Sequence, residues 1–378
     1  VTKMALHDAH YALLCYADGG VIDDLFVYRL PETRVEGRDY FFLVINASNR
    51  QKDVTWVKFH ATGFDVQVKD ISDETYMLAG WRQWADAGSI SSGLPQYLIQ
   101  QLGAKQIGRI KPDGFYLFQI PGTHDLVRPV VKYDSGYPVS LKSQRNEMYY
   151  TEVTGKGLVI FLGDEPHLDV ERYVATFLHS AELLNVKRII GFGGVYGEVP
   201  YDRERMVSSV YSKPRLKEEL EALGVNFSDY HGGASIGSVI CRRAGEQGME
   251  YISFYAFVPT YDFSDVAQVG NSIRLENDFI AWLGVMRRVA YLHKLNLDLA
   301  DLEKKSIKLR ELLDAKVEEI DSMAPQLGVR EYMTRLSSEF TEITFDPLDE
   351  VWEEELRRLF DRINPDEEPP QESQLDED

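Results

Sequence analysis

The sequence predicts an α/β protein: a parallel-rich sheet flanked by helices, with a C-terminal helical appendage and a partial β-rich N-terminal module. Continuous apolar runs such as "LVIFL" at 158–162 are typical of strands buried on both faces of a parallel sheet. Segments with apolar residues at helical spacing alternate with these runs, as they do in β-α-β units. Consecutive strands of the sheet are therefore expected to be connected by helices.

Three buried strands define the predicted α/β part. The strand at 158–162 is followed by a helix that Asp169 can cap. A further strand is predicted at 188–192, within "RIIGFGG", whose last letters belong to the following loop, and another at 250–259, "EYISFYAFVP". The helix "KPRLKEELEALGV" is predicted between them. The letters "GFGGVYG" predict a tight turn at the end of the second strand. A phosphate-binding loop is the alternative, although the glycine spacing matches neither the dinucleotide-binding nor the Walker motif.

Additional β structure is predicted outside the parallel sheet. In the first 78 residues, "HYALLCY" precedes the turn "ADGG", and two runs rich in aromatic and β-branched residues follow, "VIDDLFVYRL" and "YFFLVINAS". Further along, "RPVVKY" is typical of a strand, and "YDSGYPVSL" is typical of a hairpin tip. These runs predict a β-rich N-terminal module and a separate hairpin.

Two long helical patterns, at 276–294 and 301–321, carry more apolar surface than one face of a sheet needs. Part of that surface should pack on the α/β core, and the remainder should support a homo-oligomer or a contact with a protein partner. The alternative is an intramolecular helical subdomain. The terminal letters "PDEEPPQESQLDED" are acidic and rich in proline, which predicts an acidic, largely disordered tail over 346–378.

Composition excludes several classes of partner. The chain has 378 residues, 44% of them hydrophobic, and a net charge of −20. Nucleic acid and anionic membranes are not expected as partners, because phosphate binding needs a basic surface. High solubility is the simpler consequence of the charge. The sequence contains no apolar run of membrane-spanning length, no recognisable signal peptide, and only two cysteines, Cys15 and Cys241. We therefore expect a cytoplasmic protein.

Residue types that serve catalysis or metal binding are scattered. The eight histidines show no metal-ligand pair such as H-E-x-x-H, so we expect no catalytic residue and no metal site. If the protein binds a small molecule, the site should lie where the strands at 158–162 and 188–192 end, since that edge of an open α/β sheet binds ligands. Glu165, His167 and Glu198 are its polar candidates, and helix capping is the alternative role for "GDEPH".

The letters "ADGGVIDDLFVYRL" and "YFFLVINASNRQKDVTWV", within residues 9–78, resemble the folate-binding domain of aminomethyltransferases, the T protein of the glycine cleavage system. The resemblance implies that Tyr11, Asp24, Tyr28 and Asn46 line a tetrahydrofolate pocket. From the residues alone, the aspartates would only flank a turn and the tyrosines would belong to a core. After residue 78 the sequence departs from the family, with "LAGWRQW" in place of Gln-Gly-Pro. Tetrahydrofolate is thus named by resemblance only, and we expect no bound cofactor.

A second resemblance covers about residues 79–342. The letters "AGWRQWADAGSISSGLPQYL", "LVIFLGDEPHLDVERYVATF" and "YHGGASIGSVICRRAGEQGMEYISFYAFVPTY" occur in that order. Together they resemble the proteasome assembly chaperone family, type two, in its bacterial and archaeal form. The resemblance implies a non-catalytic α/β module that assembles with copies of itself or with protein partners.

The two resemblances together predict a join after residue 78, such as a gene fusion or a truncation would produce. The predicted domains are a truncated aminomethyltransferase-like folate-binding module at 1–78, a chaperone-like α/β domain at 79–294, a helical appendage at 295–345 and the tail at 346–378. The predicted function is a non-catalytic, assembly-chaperone-like interaction with proteins, including a homo-oligomer. The alternative is a folate-dependent aminomethyltransferase-related protein acting in one-carbon transfer.

Overall fold

Strands and helices alternate along the computed structural model. It describes residues 4–5, 8–16, 18–30, 40–45, 49–66, 68, 74–118, 128–261, 273–343 and 345. The strands are β1 (Ala9–Cys15), β2 (Val21–Leu30), β3 (Tyr40–Ile45), β4 (Thr75–Arg82), β5 (Lys105–Arg109), β6 (Val130–Asp134), β7 (Tyr137–Lys142), β8 (Asn146–Val153), β9 (Lys156–Asp164), β10 (Val186–Gly197), β11 (Val207–Tyr211), β12 (Asn226–Phe227), β13 (Glu250–Tyr261) and β14 (Ile273–Arg274). The helices are α1 (Arg50–Ala61), α2 (Gly93–Gln101), α3 (Val170–Leu183), α4 (Leu216–Glu221), α5 (Ile236–Glu246), α6 (Phe279–His293), α7 (Ala300–Met323) and α8 (Val329–Glu339).

A mixed sheet forms the centre of the fold. Its strands follow the order β12-β11-β13-β10-β4-β9-β8-β5, and β14 pairs with β13. The four central strands, β13, β10, β4 and β9, are parallel, whereas β8, β5 and β11 run antiparallel to a neighbour. Two smaller antiparallel sheets are formed by β1-β2-β3 and by the hairpin β6-β7. The predicted fold class, including the β-rich N-terminal module and the hairpin, is confirmed.

The core lies on both faces of the mixed sheet, as the apolar run at 158–162 predicts. Leu158, Ile160 and Leu162 of β9 belong to a cluster on one face, which α2, α6 and α7 cover. Val159 and Phe161 point to the opposite face, which α3 and α5 cover. All five side chains are fully buried, so each contributes about 1.5–3 kcal/mol to the free energy of unfolding.

Strand β4 lies in the middle of the mixed sheet and continues through the predicted domain join. It pairs with β9 from Thr75 to Arg82, and with β10 through Ala79. Residues 75–78 are therefore part of the main sheet, although the sequence assigns them to the N-terminal module. Tyr28 and Phe42 of that module pack against the core cluster under α3 and α5.

Most of the apolar side chains that predicted a contact from α6 and α7 are packed inside their own chain, whereas Ile307 and Leu312 on α7 are exposed. Those on α6 that carry the prediction of an oligomer contact are buried or pack against the core: Phe279, Ile280, Trp282, Leu283, Met286, Val289 and Leu292. The stripe on α7 is buried at Leu302, Leu313, Val317 and Ile320. At these positions no apolar surface is left over for an oligomer contact, because the two helices pack on each other and on the sheet. The tail at 346–378, predicted to be disordered, lies outside the described residues.

Candidate functional site at the C-terminal edge of the sheet

The C-terminal ends of β9 and β10 lie at the same edge of the sheet. Both strands run parallel to β4, which lies between them, so the loops that follow them share one rim, as the sequence predicts. The loop after β4 and the N-terminus of α5 also reach this rim, because Glu165 contacts the backbone of Ile236 and Gly194 contacts that of Ala85.

Asp164, the last residue of β9, is fully buried and held from two sides. Its Oδ1 accepts a hydrogen bond from Nε of Arg82 at 2.7 Å, and its Oδ2 accepts one from the backbone N–H of Arg145 at 2.7 Å. The hydroxyl of Tyr116 donates to its backbone carbonyl at 2.9 Å. These contacts fix the position of the rim and leave both carboxylate oxygens occupied.

Glu165 caps the first turn of α5. Its Oε1 accepts a hydrogen bond from the backbone N–H of Ile236 at 3.0 Å. Burial raises the pKa of this carboxyl to about 7, while the N–H contact acts in the opposite direction. A carboxylate at a helix N-terminus satisfies a backbone donor that has no partner within the helix and interacts favourably with the helix dipole.

Ser235 also lies at the rim, and the sequence prediction did not include it. It is the central residue of "GASIG", which has the G-x-S-x-G spacing of a nucleophile elbow. The structure assigns it a different role: it is the N-cap of α5, with extended φ and ψ of −73° and 162°, and its side chain accepts from the N–H of Ser238. Ser235 is buried, its hydroxyl lies 3.2 Å from that of Tyr255, and no histidine among the described residues bonds to it.

The three predicted polar candidates contact three different partners. Glu165 holds the N-terminus of α5. Nδ1 of His167 accepts from the backbone N–H of Leu117 at 3.2 Å, and burial lowers the pKa of this imidazole. Glu198, just after β10, accepts from the hydroxyl of Tyr332 on α8. Each side chain therefore ties a different segment to the rim.

The predicted turn "GFGGVYG" is instead the second half of β10, which continues to Gly197. Its glycines permit close approaches. A Cβ on Gly194 would collide with the carbonyl oxygen of Ala87, and the N–H of Gly194 donates to the carbonyl of Ala85 at 2.8 Å. The prediction of a turn is wrong, because the glycines here make room for the loop after β4.

Two exposed aromatic side chains cover the rim. Trp84 follows β4 and is 65% exposed, and Tyr230 precedes α5 and is 72% exposed. Both lie against Gly233: the hydroxyl of Tyr230 donates to its carbonyl at 3.4 Å, and a Cβ on Gly233 would lie 3.3 Å from Cζ2 of Trp84. Large exposed aromatics are characteristic of protein-binding surfaces.

The folate-like residues of the N-terminal module are partly assembled. The hydroxyl of Tyr11 donates to Oδ2 of Asp24 at 2.8 Å, and Tyr11 is 60% exposed. Tyr28 is half-buried beside Phe42, with ring centroids 6.3 Å apart. Asn46, the fourth predicted residue, lies outside the described part of the chain.

Asp23, which precedes Asp24 in the sequence, has a separate role. Asp23 is buried beside the equally buried Asp53 of α1. Burial, together with the neighbouring carboxyl group of Asp23, raises the pKa of the Asp53 carboxyl to about 6. Asp23 and Asp53 therefore form part of the interior of the module.

The described residues show neither a metal-binding cluster nor a membrane-spanning helix. In the ranges given above, no group of three or more His, Cys, Asp or Glu side chains is arranged to hold a metal ion. Over the same ranges, none of the helices combines the length and the apolar character needed to cross a membrane.

Comparison with family models confirms both resemblances. Residues 81–317 match the model described as PAC2 family, and residues 1–81 match the GCVT N-terminal domain. Among curated proteins, an aminomethyltransferase of Clostridium botulinum is 52% identical over 69 residues, which are 18% of this chain and 17% of that protein. The aminomethyltransferase of Alkaliphilus metalliredigens is 42% identical over 78 residues, 21% of this chain and 20% of that protein. The chain thus spans about a fifth or less of these relatives.

Solved structures share the fold of the larger part of the chain. A proteasome-assembly chaperone homologue of Mycobacterium tuberculosis aligns with a TM-score of 0.55 and 20% identity, over 64% of this chain and 94% of that one. A PAC2 family protein of Streptomyces avermitilis aligns with a TM-score of 0.56 and 21% identity, over 68% and 99%. A protein of unknown function from Corynebacterium glutamicum aligns with a TM-score of 0.57 and 17% identity, over 78% and 96%.

Proposed function

The chain belongs to the PAC2 family, and from that premise we propose that it is a non-catalytic protein-interaction module that assists the assembly of other proteins. The similar Mycobacterium tuberculosis structure is described as a proteasome-assembly chaperone homologue. By analogy, we propose unassembled proteasome subunits as the partner. The free thiols of Cys15 and Cys241 suit a cytoplasmic location, where thiols remain reduced.

One observation carries the proposal: the ionisable side chains at the rim are engaged in holding the fold. Both oxygens of Asp164 are occupied by donors, Glu165 caps α5, and His167 accepts from a backbone N–H. A general acid or base must instead be able to reach a substrate proton. This arrangement supports a rim that positions segments rather than one that performs proton transfer.

The surface that we assign to the partner is the aromatic pair above the rim. Trp84 and Tyr230 combine a large apolar area with few rotatable bonds, so little conformational entropy is lost when they are buried. Their common support, Gly233, leads directly into the capped N-terminus of α5. The pair is thus presented from a fixed base, which favours tight binding.

The test measures binding to purified, unassembled proteasome α and β subunits by native mass spectrometry and calorimetry. We expect a complex with the wild-type chain, and a dissociation constant raised about 30-fold or more by Trp84→Ala combined with Tyr230→Ala. Phe64→Ala removes an equally exposed aromatic from the N-terminal module and should leave binding unchanged. The proposal fails if no subunit binds, or if the double variant binds as tightly as the wild type.

A folate-dependent role is the second candidate, and the Tyr11–Asp24 hydrogen bond is the observation in its favour. The match to aminomethyltransferases covers only a small share of those proteins. After Glu74 the chain enters the central strand of the main sheet. Tyr11 is left at an exposed surface, and calorimetry with tetrahydrofolate tests whether that surface binds the cofactor.

A further inference from the structure

A groove between α6 and α7 is open in the described part of the chain. Its volume is about 350 Å³, and Ile280, Leu283 and Gly284 of α6 line its floor. Ile307 of α7 lines its wall, and 60% of that side chain is exposed. A Cβ on Gly284 would first meet Nη1 of Arg288, at 3.5 Å, so there is free space above the floor. The groove therefore offers an apolar surface that a further segment can cover.

A hydrogen-bond donor of Arg205, which also lines the groove, has no acceptor within the described residues. The side chain is buried, its Nε donates to Asp278, and its Nη1 donates to backbone carbonyls. Nη2 is the nitrogen without a partner. A buried donor that lacks an acceptor costs free energy. A segment bound in the groove would bring acceptors close to this nitrogen.

The last described residue, Phe345, lies beside one end of the groove. Its ring is 5.4 Å from that of Tyr291, and Cζ of Arg288 lies 5.2 Å from its centroid. Nη1 of Arg288 in turn donates to the carbonyl oxygen of Gly284, on the floor of the groove, at 3.0 Å. Phe345 is thus within about 10 Å of Gly284, a distance that three extended residues span. The chain that follows Phe345 can enter the groove directly.

The residues after Phe345 have the sequence pattern of an amphipathic helix. Asp346 can cap its start with Pro347 as the first helical residue, and Pro365 ends it. Between them, apolar residues recur at helical spacing: Leu348, Val351, Trp352, Leu356, Leu359, Phe360 and Ile363. The proline-rich letters that predict disorder begin only at Pro365. The sequence of residues 347–363 therefore predicts a helix with one apolar face.

The charges of this segment follow the order of the charges along the groove. Carboxylates are concentrated at 349–355 and arginines at 357–362. The short connection between α6 and α7 makes the two helices antiparallel neighbours, and Nη2 of Arg287 lies 3.2 Å from Oε1 of Glu303. Glu311 is two turns farther along α7, away from the end at which the segment enters. The acidic half of the segment thus meets Arg287 first, and its basic half meets Glu311.

We propose that residues 347–363 form a helix whose apolar face packs in the α6–α7 groove of the same chain. A helix of this length is about 25 Å long, close to the length of α6, along which it would lie. It would cover Ile307, which α6 and α7 alone leave exposed. The inference does not rest on the proposed function, because both surfaces belong to this chain.

Hydrogen–deuterium exchange of the full chain, followed by mass spectrometry, tests the contact. The amides of 347–363 should exchange at least about 30-fold more slowly than those of an unstructured peptide, whereas those of 366–378 should exchange freely. Ile307→Glu places a charge in the groove and should lower this protection about 10-fold or more. Leu312→Glu is the matched control, since Leu312 is 58% exposed on α7 but does not line the groove. It should leave the protection unchanged.

A second groove variant and a dilution series complete the test. Gly284→Leu fills the floor and should release the segment as Ile307→Glu does, and thermal melting followed by circular dichroism checks that each variant is folded. Protection that comes from the same chain stays constant when the protein is diluted about 100-fold, whereas protection by a second copy falls.

Three results would overturn the inference. The first is exchange of 347–363 at the rate of an unstructured peptide. The second is an equal effect of Ile307→Glu and Leu312→Glu, or full protection in a folded Gly284→Leu variant. The third is protection that falls on dilution, which would assign the groove to the segment of a second copy. Binding to proteasome subunits is measured separately, so either proposal can fail alone.

Discussion

Arg205 donates from Nε to Oδ2 of Asp278 at 2.7 Å, and both side chains are almost completely buried. The other oxygen of Asp278 accepts from the backbone N–H groups of Ile280 and Ala281, both at 3.1 Å, and so caps the N-terminus of α6. Nη1 of Arg205 donates to backbone carbonyls in its own loop, including that of Pro200 at 3.2 Å. The pair therefore joins the loop after β10 to the start of α6.

Replacing Arg205 should be strongly destabilising, because the buried carboxyl group of Asp278 would lose its cationic partner. We expect Arg205→Met to lower the free energy of unfolding by about 3–5 kcal/mol, measured by urea denaturation. Arg203→Met is the control: Arg203 is partly exposed, its Nη1 lies 3.6 Å from Glu342, and its loss should cost less than about 1 kcal/mol. Equal losses for the two variants would contradict the structural role of the pair.

Helix α6 shows what the sequence can and cannot predict. Its apolar spacing predicts the helix and the face that it buries, because burial of one stripe follows from 3.6-residue periodicity. Two polar residues, Arg288 and His293, are nevertheless buried. Nε of Arg288 donates to the carbonyl of Leu223 at 2.9 Å, and burial lowers the pKa of this guanidinium to about 10. The partners of Arg288 include backbone carbonyls that are distant in the sequence. Every residue has a backbone carbonyl, so the sequence could not predict these partners.

In the candidate site, too, the sequence predicts the positions of some residues but not their hydrogen-bond partners. Periodicity places the ends of β9 and β10 at one edge, so Glu165 and His167 could be located at the rim from the sequence. Their partners could not, since Ile236 and Leu117 contribute only backbone N–H groups. The join after residue 78 is predicted from the point where one family resemblance ends and the other begins. A strand can continue across such a point, because it needs only an apolar segment that can extend. "TYMLAGWR" provides such a segment across the join.

The position of β4 leads to a prediction about fragments. Residues 75–78 pair with β9, and Met77 and Leu78 are fully buried in the middle of the sheet. A fragment of residues 74–345 should therefore melt cooperatively in calorimetry. A fragment of residues 79–345 loses both side chains, which costs about 5 kcal/mol or more and is comparable to the whole stability of a domain. It should show no cooperative transition, and identical melting of the two fragments would contradict this.

The raised pKa of Glu165 predicts how stability depends on pH. Below about pH 4.5 the carboxyl is protonated in both the folded and the unfolded chain, so Glu165→Gln should change little. Between about pH 4.5 and 7 the unfolded chain releases this proton while the folded chain retains it, so wild-type stability falls as the pH rises. Above about pH 7 the variant should be more stable than the wild type by about 3 kcal/mol.

Urea denaturation of wild type and variant from about pH 4 to pH 8 measures this difference. The amide oxygen that Glu165→Gln introduces can still accept the hydrogen bond from the N–H of Ile236, so the helix cap is retained. Glu182→Gln, at an exposed position on α3, controls for the loss of one negative charge. A difference between wild type and Glu165→Gln that stays constant over the whole range would show that the carboxyl is not buried as described.

The exposure of Tyr11 predicts that tetrahydrofolate does not bind at micromolar concentration. Binding sites for small molecules enclose most of the ligand, whereas the Tyr11–Asp24 pair lies on an open surface of β1 and β2. Isothermal titration calorimetry of the full chain should show no saturable heat. If saturable binding is found, Asp24→Ala decides its origin, with Asp18→Ala in the neighbouring exposed turn as the control. Binding that Asp24→Ala abolishes and Asp18→Ala preserves would restore the folate-dependent candidate. Binding unaffected by both variants would place the ligand away from the folate-like residues.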